Sequence, residues 1–181
     1  MLTITVPAGE FYNQQTETFE TIPEQRLQLE HSLVSVSKWE SKWKKPFLDS
    51  EKTAGEMLDY IRCMTITPNV SPLVYLQMPA ETIRTIQQYI NDPMTATTFT
   101  DRRNQGGRPS RERVTSELIY YWMLARDIPW ECQKWHLNRL MTLIRICDIK
   151  DAPQKKMGKR DILSQYAALN ASRKAQHRTR G

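Results

Sequence analysis

The residues best suited to chemistry in this chain are a cysteine and a histidine four positions apart, in Cys132-Gln-Lys-Trp-His136. On a regular helix this spacing places a thiol and an imidazole on one face, where they could share a metal ion. A structural metal site needs about four ligands, and only Cys147 and His31 are candidates for the others. The pair also lacks the orienting third group and the oxyanion donor that a catalytic nucleophile needs. We therefore expect no metal, no cofactor and no enzyme activity, with Cys132 as a buried thiol.

All five tryptophans lie in two blocks of the chain, residues 31–48 and 117–140. Tryptophan is costly to expose, so these blocks mark surfaces that are buried within the protein or against a partner. On one interpretation the tryptophans pack in the core of the domain. On the second interpretation, lysines between positions 38 and 45 cover aromatic rings until a partner displaces them. The partner-binding residues of this second interpretation are Trp39, Trp43, Phe47, Trp130 and Trp135.

The positive charge of the chain is concentrated at its C-terminal end. The whole chain has a net charge of +6, but residues 1–154 carry 18 Lys and Arg against 19 Asp and Glu, while residues 155–181 carry 8 against one. Such a segment can bind an acidic protein partner or neutralise phosphates of a nucleic acid. We expect protein contacts from its basic residues, which are Lys155, Lys156, Lys159, Arg160, Arg173, Lys174, Arg178 and Arg180.

Nothing in the composition suggests secretion or a membrane. The three cysteines are an odd number without close pairing, which favours reduced thiols over a disulfide framework. The chain starts without a basic segment followed by an apolar core, and no apolar stretch approaches 18 residues. We therefore expect a soluble protein of the cytoplasm with no membrane contact.

Periodicity predicts a mainly α fold of about six amphipathic helices in one compact domain, with a small N-terminal β-hairpin. Alternation over Leu2–Val6 and residues 16–22 predicts two short strands. The six predicted helices are residues 24–45; Thr53 to Met64, with a Thr53–Glu56 capping box; Pro79 to Asn91; a helix from Ser110 with Val114, Leu118, Tyr121, Trp122 and Ala125 on its apolar face; a helix from Pro129 with Leu137, Leu140, Ile144 and Cys147; and a basic helix with Ile162, Leu163, Tyr166 and Leu169.

Composition also predicts how the chain is divided. We expect a helical domain with the N-terminal β element over residues 1–153 and a basic C-terminal helix and tail over residues 154–181. Residues 101–113 hold two glycines, a proline and five arginines with no apolar residue, which is typical of an exposed, flexible loop.

Blocks between about residues 27 and 176 carry a family resemblance. They are His31-Ser-Leu-Val-Ser-Val-Ser-Lys-Trp-Glu-Ser-Lys-Trp-Lys-Lys-Pro-Phe-Leu48, Lys52-Thr53, Asp59-Tyr-Ile61, Met94-Thr-Ala-Thr97, Ile119-Tyr-Tyr-Trp-Met123, Ile128-Pro-Trp-Glu-Cys132, Trp135-His-Leu-Asn-Arg-Leu140, Ala152-Pro-Gln-Lys-Lys-Met-Gly-Lys-Arg160 and Ala168-Leu-Asn-Ala-Ser-Arg-Lys174. The pattern resembles the tail assembly chaperones encoded in the structural gene module of tailed phages of actinobacterial hosts.

The resemblance implies a non-enzymatic role in virion assembly within the infected bacterial cytoplasm. Tail assembly chaperones bind the long, helical tape measure protein, help tail tube subunits polymerise around it, and then leave. In that family a longer product often arises by translational frameshifting. Two other functions stay open: a head-tail connector or capsid-associated protein retained in the virion, and a nucleic-acid-binding phage protein. Association with a second copy of the chain also stays open.

Overall fold

The computed structural model describes residues 1–13, 17–99, 113–151 and 159–177. These residues form a mainly α-helical protein with a small β portion, as the periodicity predicts. The described ranges contain four strands, β1 (Leu2–Val6), β2 (Gly9–Asn13), β3 (Thr18–Ile22) and β4 (Gln25–Leu29). They also contain a 3₁₀ helix (Trp130–Lys134) and seven α-helices, α1 (Leu33–Trp43), α2 (Ala54–Met64), α3 (Pro72–Leu76), α4 (Ala80–Asn91), α5 (Ser116–Ala125), α6 (Leu137–Asp151) and α7 (Lys159–His177).

The N-terminal strands form two antiparallel pairs. Strands β2 and β3 form a hairpin, and β1 pairs with β4 in a register that sets Ile4 opposite Leu27. The two strands predicted from alternation, β1 and β3, therefore do not pair with each other. The predicted helix over residues 24–45 is therefore wrong in its first part, where residues 25–29 are extended. Leu27 and Leu29 are both buried, which is the period of two expected for a strand with one face on the core. Leu29 also fits a helical spacing with Leu33, and that coincidence conceals the strand in the sequence.

A short extended segment after α2 continues this sheet beyond β4. Thr65 forms an isolated antiparallel bridge with Leu29, and the Ile66 amide donates to the Gln28 carbonyl at 2.8 Å. The Thr67 hydroxyl accepts from the Gln28 amide at 2.9 Å. The end of α2 is thereby fixed to the sheet.

Local capping defines the first two helices. Ser32 caps α1 in a capping box with Ser35, and α1 ends where Lys44 adopts a left-handed conformation with φ of 54°. Thr53 caps α2, and the Glu56 carboxylate accepts in turn from the Thr53 amide at 2.8 Å. The predicted Thr53–Glu56 capping box is confirmed. Each box satisfies backbone N–H groups that a helix start leaves without partners.

The two helices that follow show how prolines set boundaries. Helix α4 follows Pro79 and ends before Asp92-Pro93, and it buries Ile86 and Tyr89. Helix α3 is absent from the sequence-based prediction because its five residues are too few for a helical period to appear. Pro72 occupies its first turn, where the missing N–H costs no hydrogen bond.

The region from Ser110 to Cys147 differs from the prediction in two ways. Helix α5 begins at Ser116 with Thr115 as its cap, and Ser110 lies outside the described residues. Its buried side chains are Ser116, Ile119 and Met123, so the predicted apolar face is wrong at Tyr121, which is 63% exposed.

The helix predicted from Pro129 is two elements instead of one. The 3₁₀ helix ends at Lys134, Trp135 is extended, and α6 starts at Leu137. The break has a physical cause, because the Leu137 amide donates to the His31 carbonyl at 2.7 Å and His136 bridges Ser32. Hydrogen bonds to the residues just before α1 thus replace the backbone hydrogen bonds that a continuous helix would make here.

The chain divides into two compact units, Met1–Cys147 and Asp148–Gly181. The first unit holds one cluster of buried apolar side chains drawn from β1, β3, β4, α1 to α6 and the 3₁₀ helix. The second contains α7, which continues past Arg173 to His177. The flexible loop predicted over residues 101–113 lies outside the described residues except for Arg113.

Candidate protein-binding surfaces

Trp39 and Phe47, predicted to bind a partner, lie in the core of the first unit. Trp39 is 0% exposed, and its indole N–H donates to the Glu56 carbonyl at 2.9 Å. Phe47 is also buried, with its ring centroid 5.2 Å from that of Trp39 and 4.0 Å from that of Tyr60. The prediction that these two rings form a partly uncovered surface is wrong, because α1 packs this face against α2.

Trp43 occupies the boundary between this core and the surface. It is half-buried, and its indole N–H donates to Asp59 Oδ2 at 2.9 Å. The Lys42 ammonium lies 2.5 Å from Asp59 Oδ1 and 5.6 Å from the centre of the Trp43 ring. Trp43 is thus covered by a polar network, and only part of the ring is available to another molecule.

Lysines lie over the aromatic rings near the end of α1, but they are Lys42 and Lys52. Lys45 forms an ion pair with Glu56 at 2.5 Å, which leaves its ammonium committed within the chain. The ring of Phe47 is covered by Lys52, 4.2 Å from its centre, a lysine that the prediction omits. A lysine stem over an aromatic face shields it from water without burying the charge.

These ion pairs help to lower the pKa of the Asp59 and Glu56 carboxyl groups. Burial alone would raise the pKa of the Asp59 carboxyl, but hydrogen bonds from Lys42 and Trp43 outweigh it and hold the pKa below its ordinary value. The hydrogen bond from Lys45, with that from the Thr53 amide, lowers the pKa of Glu56. Both groups are therefore charged at neutral pH and hold α1 and α2 together electrostatically.

Trp130 and Trp135 have different environments. Trp130 is 49% exposed and stacks on Tyr120 with ring centroids 5.1 Å apart. Trp135 is half-buried, with the Arg139 guanidinium 4.3 Å from the centre of its ring. Of the five aromatic residues predicted to bind a partner, Trp130 is the most accessible.

Helix α5 also exposes large apolar side chains. Tyr121 and Leu124 are one turn apart, so they lie on the same side of the helix, and both are exposed. The sequence conceals this surface, because α5 is apolar on nearly every side and its pattern does not distinguish the covered face from the open one.

Helix α7 combines exposed apolar side chains with the basic composition of its segment. Leu163, Tyr166 and Leu169 recur every three residues and are 69%, 62% and 46% exposed. Arg173 is exposed as well. For Lys159, Arg160 and Lys174 only the helical backbone is described, and Lys155, Lys156, Arg178 and Arg180 lie outside the described residues.

The Cys132 and His136 pair has no shared helix face. Cys132 is buried in the 3₁₀ helix, and burial raises the pKa of its thiol. The His136 ring donates from Nε2 to the Tyr89 carbonyl at 2.9 Å and packs edge-on against His31, with centroids 5.0 Å apart. The predicted i, i+4 geometry is wrong because Trp135 is extended and interrupts the helix.

The two histidines form part of a buried polar cluster that the sequence does not reveal. His31 Nδ1 lies 2.5 Å from the Tyr60 hydroxyl. The Tyr89 hydroxyl donates to Glu30 Oε1 at 2.6 Å. Burial, with a smaller contribution from His136, lowers the pKa of His31 to about 3, and burial also lowers the pKa of His136. Both rings are therefore neutral and structural at physiological pH.

Glu40 is a second buried group whose role depends on contacts distant in sequence. Its Oε1 accepts from the Phe47 amide at 2.7 Å, and its Oε2 accepts from the Ser116 amide at 2.7 Å. The carboxylate therefore lies at the N-terminus of α5, where a negative charge stabilises the helix dipole. Glu40 fixes α5 to the end of α1.

Within the described ranges, no three or more His, Cys, Asp or Glu residues are grouped so as to hold a metal ion. None of the helices in that part of the chain is long and apolar enough to cross a membrane. Comparison with known proteins finds no matching family model, no matching curated protein and no matching solved structure.

Proposed function

We propose that this protein is a non-enzymatic phage morphogenesis factor, a tail assembly chaperone that binds the tape measure protein during tail assembly. It would act in the cytoplasm of the infected bacterium and release its partner before the particle is complete. The proposal joins the family resemblance of residues 27–176 to the surfaces that the first and second units expose.

The observation that carries the proposal is the apolar side of α7. Three large side chains, Leu163, Tyr166 and Leu169, are left open to solvent within a basic segment. Fully burying one such side chain against a partner contributes roughly 1.5–3 kcal/mol, so the three together can supply much of a binding free energy. A tape measure protein is helical, and helices bind one another through apolar residues at this spacing.

The basic charge adds a second reason to expect a protein partner. The segment of residues 155–181 has eight Lys and Arg and one acidic residue, so it attracts acidic surfaces at long range. Charge attraction sets the rate and orientation of an encounter, and the apolar contact then holds the complex. A chaperone that must later release its partner benefits when charge speeds the encounter and a limited apolar contact holds the complex.

The proposal is tested by co-expressing the full chain with overlapping fragments of the tape measure protein from the same phage. Affinity purification should retain at least one fragment, and the double variant Leu163→Ser/Leu169→Ser should lose roughly tenfold of it. The matched control is Leu76→Ser, because Leu76 is an equally exposed leucine on α3. Retention of no fragment by the wild-type chain, with abundant protein in finished particles, would favour a virion component instead.

A further inference from the structure

Two adjoining depressions lie between α1 and the segment that follows α2. The first has a volume of about 420 Å³ and the second about 400 Å³. Lys38, Cys63 and Thr65 line both, so the two depressions meet along one boundary. Together they form a groove that begins at the α1–α2 contact and runs along the short extended segment at Thr65 and Ile66. We call it the α1 groove.

Cations outnumber carboxylates in the lining of the α1 groove. Its cations are Lys38, Lys42, Arg62 and Lys134, and its carboxylates are Asp59 and Glu30. Lys38 and Lys42 are one helical turn apart, so their side chains follow the groove on the same side of α1. The remaining lining is uncharged. The Thr67 hydroxyl accepts from the Gln28 amide and can still donate a hydrogen bond to an anion.

Both carboxylates of the groove are already satisfied by the chain itself. Asp59 accepts from Lys42 and Trp43 and lies 3.9 Å from Arg62. Glu30 binds the N-terminal ammonium at 2.8 Å and accepts from the Tyr89 hydroxyl. Neither acid therefore has an unused charge with which to neutralise another lysine in the lining.

Among the described residues, Lys38 and Lys134 are the two cations of the groove without an ion-pair partner. Both are exposed, and in the described part of the chain no carboxylate lies within ion-pair distance of either ammonium. Lys134 ends the 3₁₀ helix, whereas Lys38 lies in the middle of α1. Two elements from distant parts of the sequence thus contribute uncompensated positive charge to one groove.

We infer that the α1 groove binds a carboxylate-rich segment of a protein partner, with Lys38 and Lys134 as the recognising cations. The inference rests on the proposed function, since it specifies the chemistry of a partner segment. Charge complementarity carries it, because the unpaired cations of the groove come from two elements and are point charges on flexible stems. Such lysines suit several carboxylates along a chain, and the one arginine of the lining, Arg62, already lies 3.9 Å from Asp59.

Cys63 provides a reporter within the groove. Its half-buried thiol lines both depressions, and a bound acidic segment would cover it. Cys147 is also half-buried but is not among the lining residues, so it serves as an internal reference in the same molecule. Site-resolved alkylation therefore separates binding in the groove from binding to the basic C-terminal segment.

The experiment measures iodoacetamide labelling of each cysteine by mass spectrometry, on the full chain at low ionic strength. The probe is a synthetic Glu-Ser repeat peptide of about ten residues, with a Gln-Ser peptide of equal length and inorganic phosphate as comparisons. We expect the acidic peptide to slow labelling of Cys63 roughly fivefold, because it both shields the thiol and disfavours the thiolate, and to leave Cys147 unchanged. The Gln-Ser peptide and phosphate should leave both rates unchanged.

Charge-reversal variants test the two lysines. Lys38→Glu/Lys134→Glu should abolish the protection of Cys63, while the matched control Lys44→Glu/Lys150→Glu, with the same change in net charge outside the groove, should retain it. Equal loss in both variants, protection by phosphate alone, or no protection by the acidic peptide would each overturn the inference. Protection in a protein that retains no tape measure fragment would support the groove and contradict the proposed function. Tape measure binding without protection would overturn the groove alone.

Discussion

The end of α1 and the middle of α7 carry similar sequence patterns and have opposite environments. Both place large apolar side chains near basic residues, which are lysines at the end of α1 and flank the apolar residues on either side in α7. At the end of α1, helix α2 covers Trp39 and Phe47, and carboxylates on α2 hold the surrounding lysines. In α7, Leu163, Tyr166 and Leu169 remain exposed. The pattern thus indicates an amphipathic helix in both places, but only the packing partner decides which apolar face is core and which is surface.

The largest effect on stability is expected at Trp39. Trp39→Ala should lower the free energy of unfolding by about 3–5 kcal/mol, because it opens a cavity and leaves the Glu56 carbonyl without its donor. Chemical denaturation of the purified variant measures the loss. Leu163→Ala is the contrasting substitution, and an equal loss there would mean that α7 is also part of a core.

Mild acid should lower the free energy of unfolding, because the buried His31 ring is neutral in the folded protein. The pKa of His31 is lowered to about 3 in the folded protein, against an ordinary value near 6.5. Below pH 6.5 the unfolded chain binds a proton that the folded chain does not, so stability falls by a few kcal/mol as pH drops toward 3. His136 contributes in the same direction. Denaturation midpoints measured between pH 7 and 5 isolate the histidines, because Asp59 and Glu56 begin to lose their contribution only below their unfolded pKa values.

His31→Gln separates this effect from general acid sensitivity. The variant should be less stable at pH 7, since glutamine fits the buried site less well, but its stability should change less between pH 7 and 5. A slope equal to that of the wild type would show that His31 is not the group responsible.

A smaller loss is expected at Glu40. Glu40→Gln keeps one acceptor oxygen but replaces the other with an amide that cannot accept from the backbone, so one of two buried N–H groups loses its partner. The free energy of unfolding should fall by about 1–3 kcal/mol, as measured by urea denaturation. Glu117→Gln on the exposed side of α5 is the matched control and should be close to neutral.

The smallest effect on stability belongs to α7. Leu163→Ala and Leu169→Ala should each change the free energy of unfolding by less than about 0.5 kcal/mol, because exposed side chains have little packing to lose. Thermal melting of the full chain tests this. A drop of several degrees would place these leucines in a packed interface and remove the observation that carries the proposed function.

Local signals in the sequence predict part of the fold well. The Thr53–Glu56 capping box and the limits that Pro79 and Pro93 set on α4 involve residues a few positions apart, so their physics is complete in the sequence. The same is true of the alternation in β1. The β4 strand is different, because Leu29 satisfies a helical spacing and a strand spacing equally and only pairing with Leu2 decides between them.

The candidate sites depend more heavily on distant contacts, and the sequence predicts less of them. The aromatic residues near position 40 are identified as important, but whether they face a core or a partner depends on α2. Glu40 accepts a hydrogen bond from the Ser116 amide at the start of α5, 76 positions away in the sequence. Lys134 and Lys38 line the same groove, which depends on the turn at Trp135. The periodicity of the sequence does not predict such contacts, because they arise from tertiary packing.

The proposed chaperone role requires that this chain accompanies the tape measure protein during assembly and then leaves. Quantitative mass spectrometry can compare tape-measure-containing intermediates isolated from infected cells with purified finished particles. The account predicts that the chain is abundant in the intermediates and absent from the particles. Stoichiometric amounts in finished particles, or its absence from every intermediate that contains the tape measure protein, would contradict it.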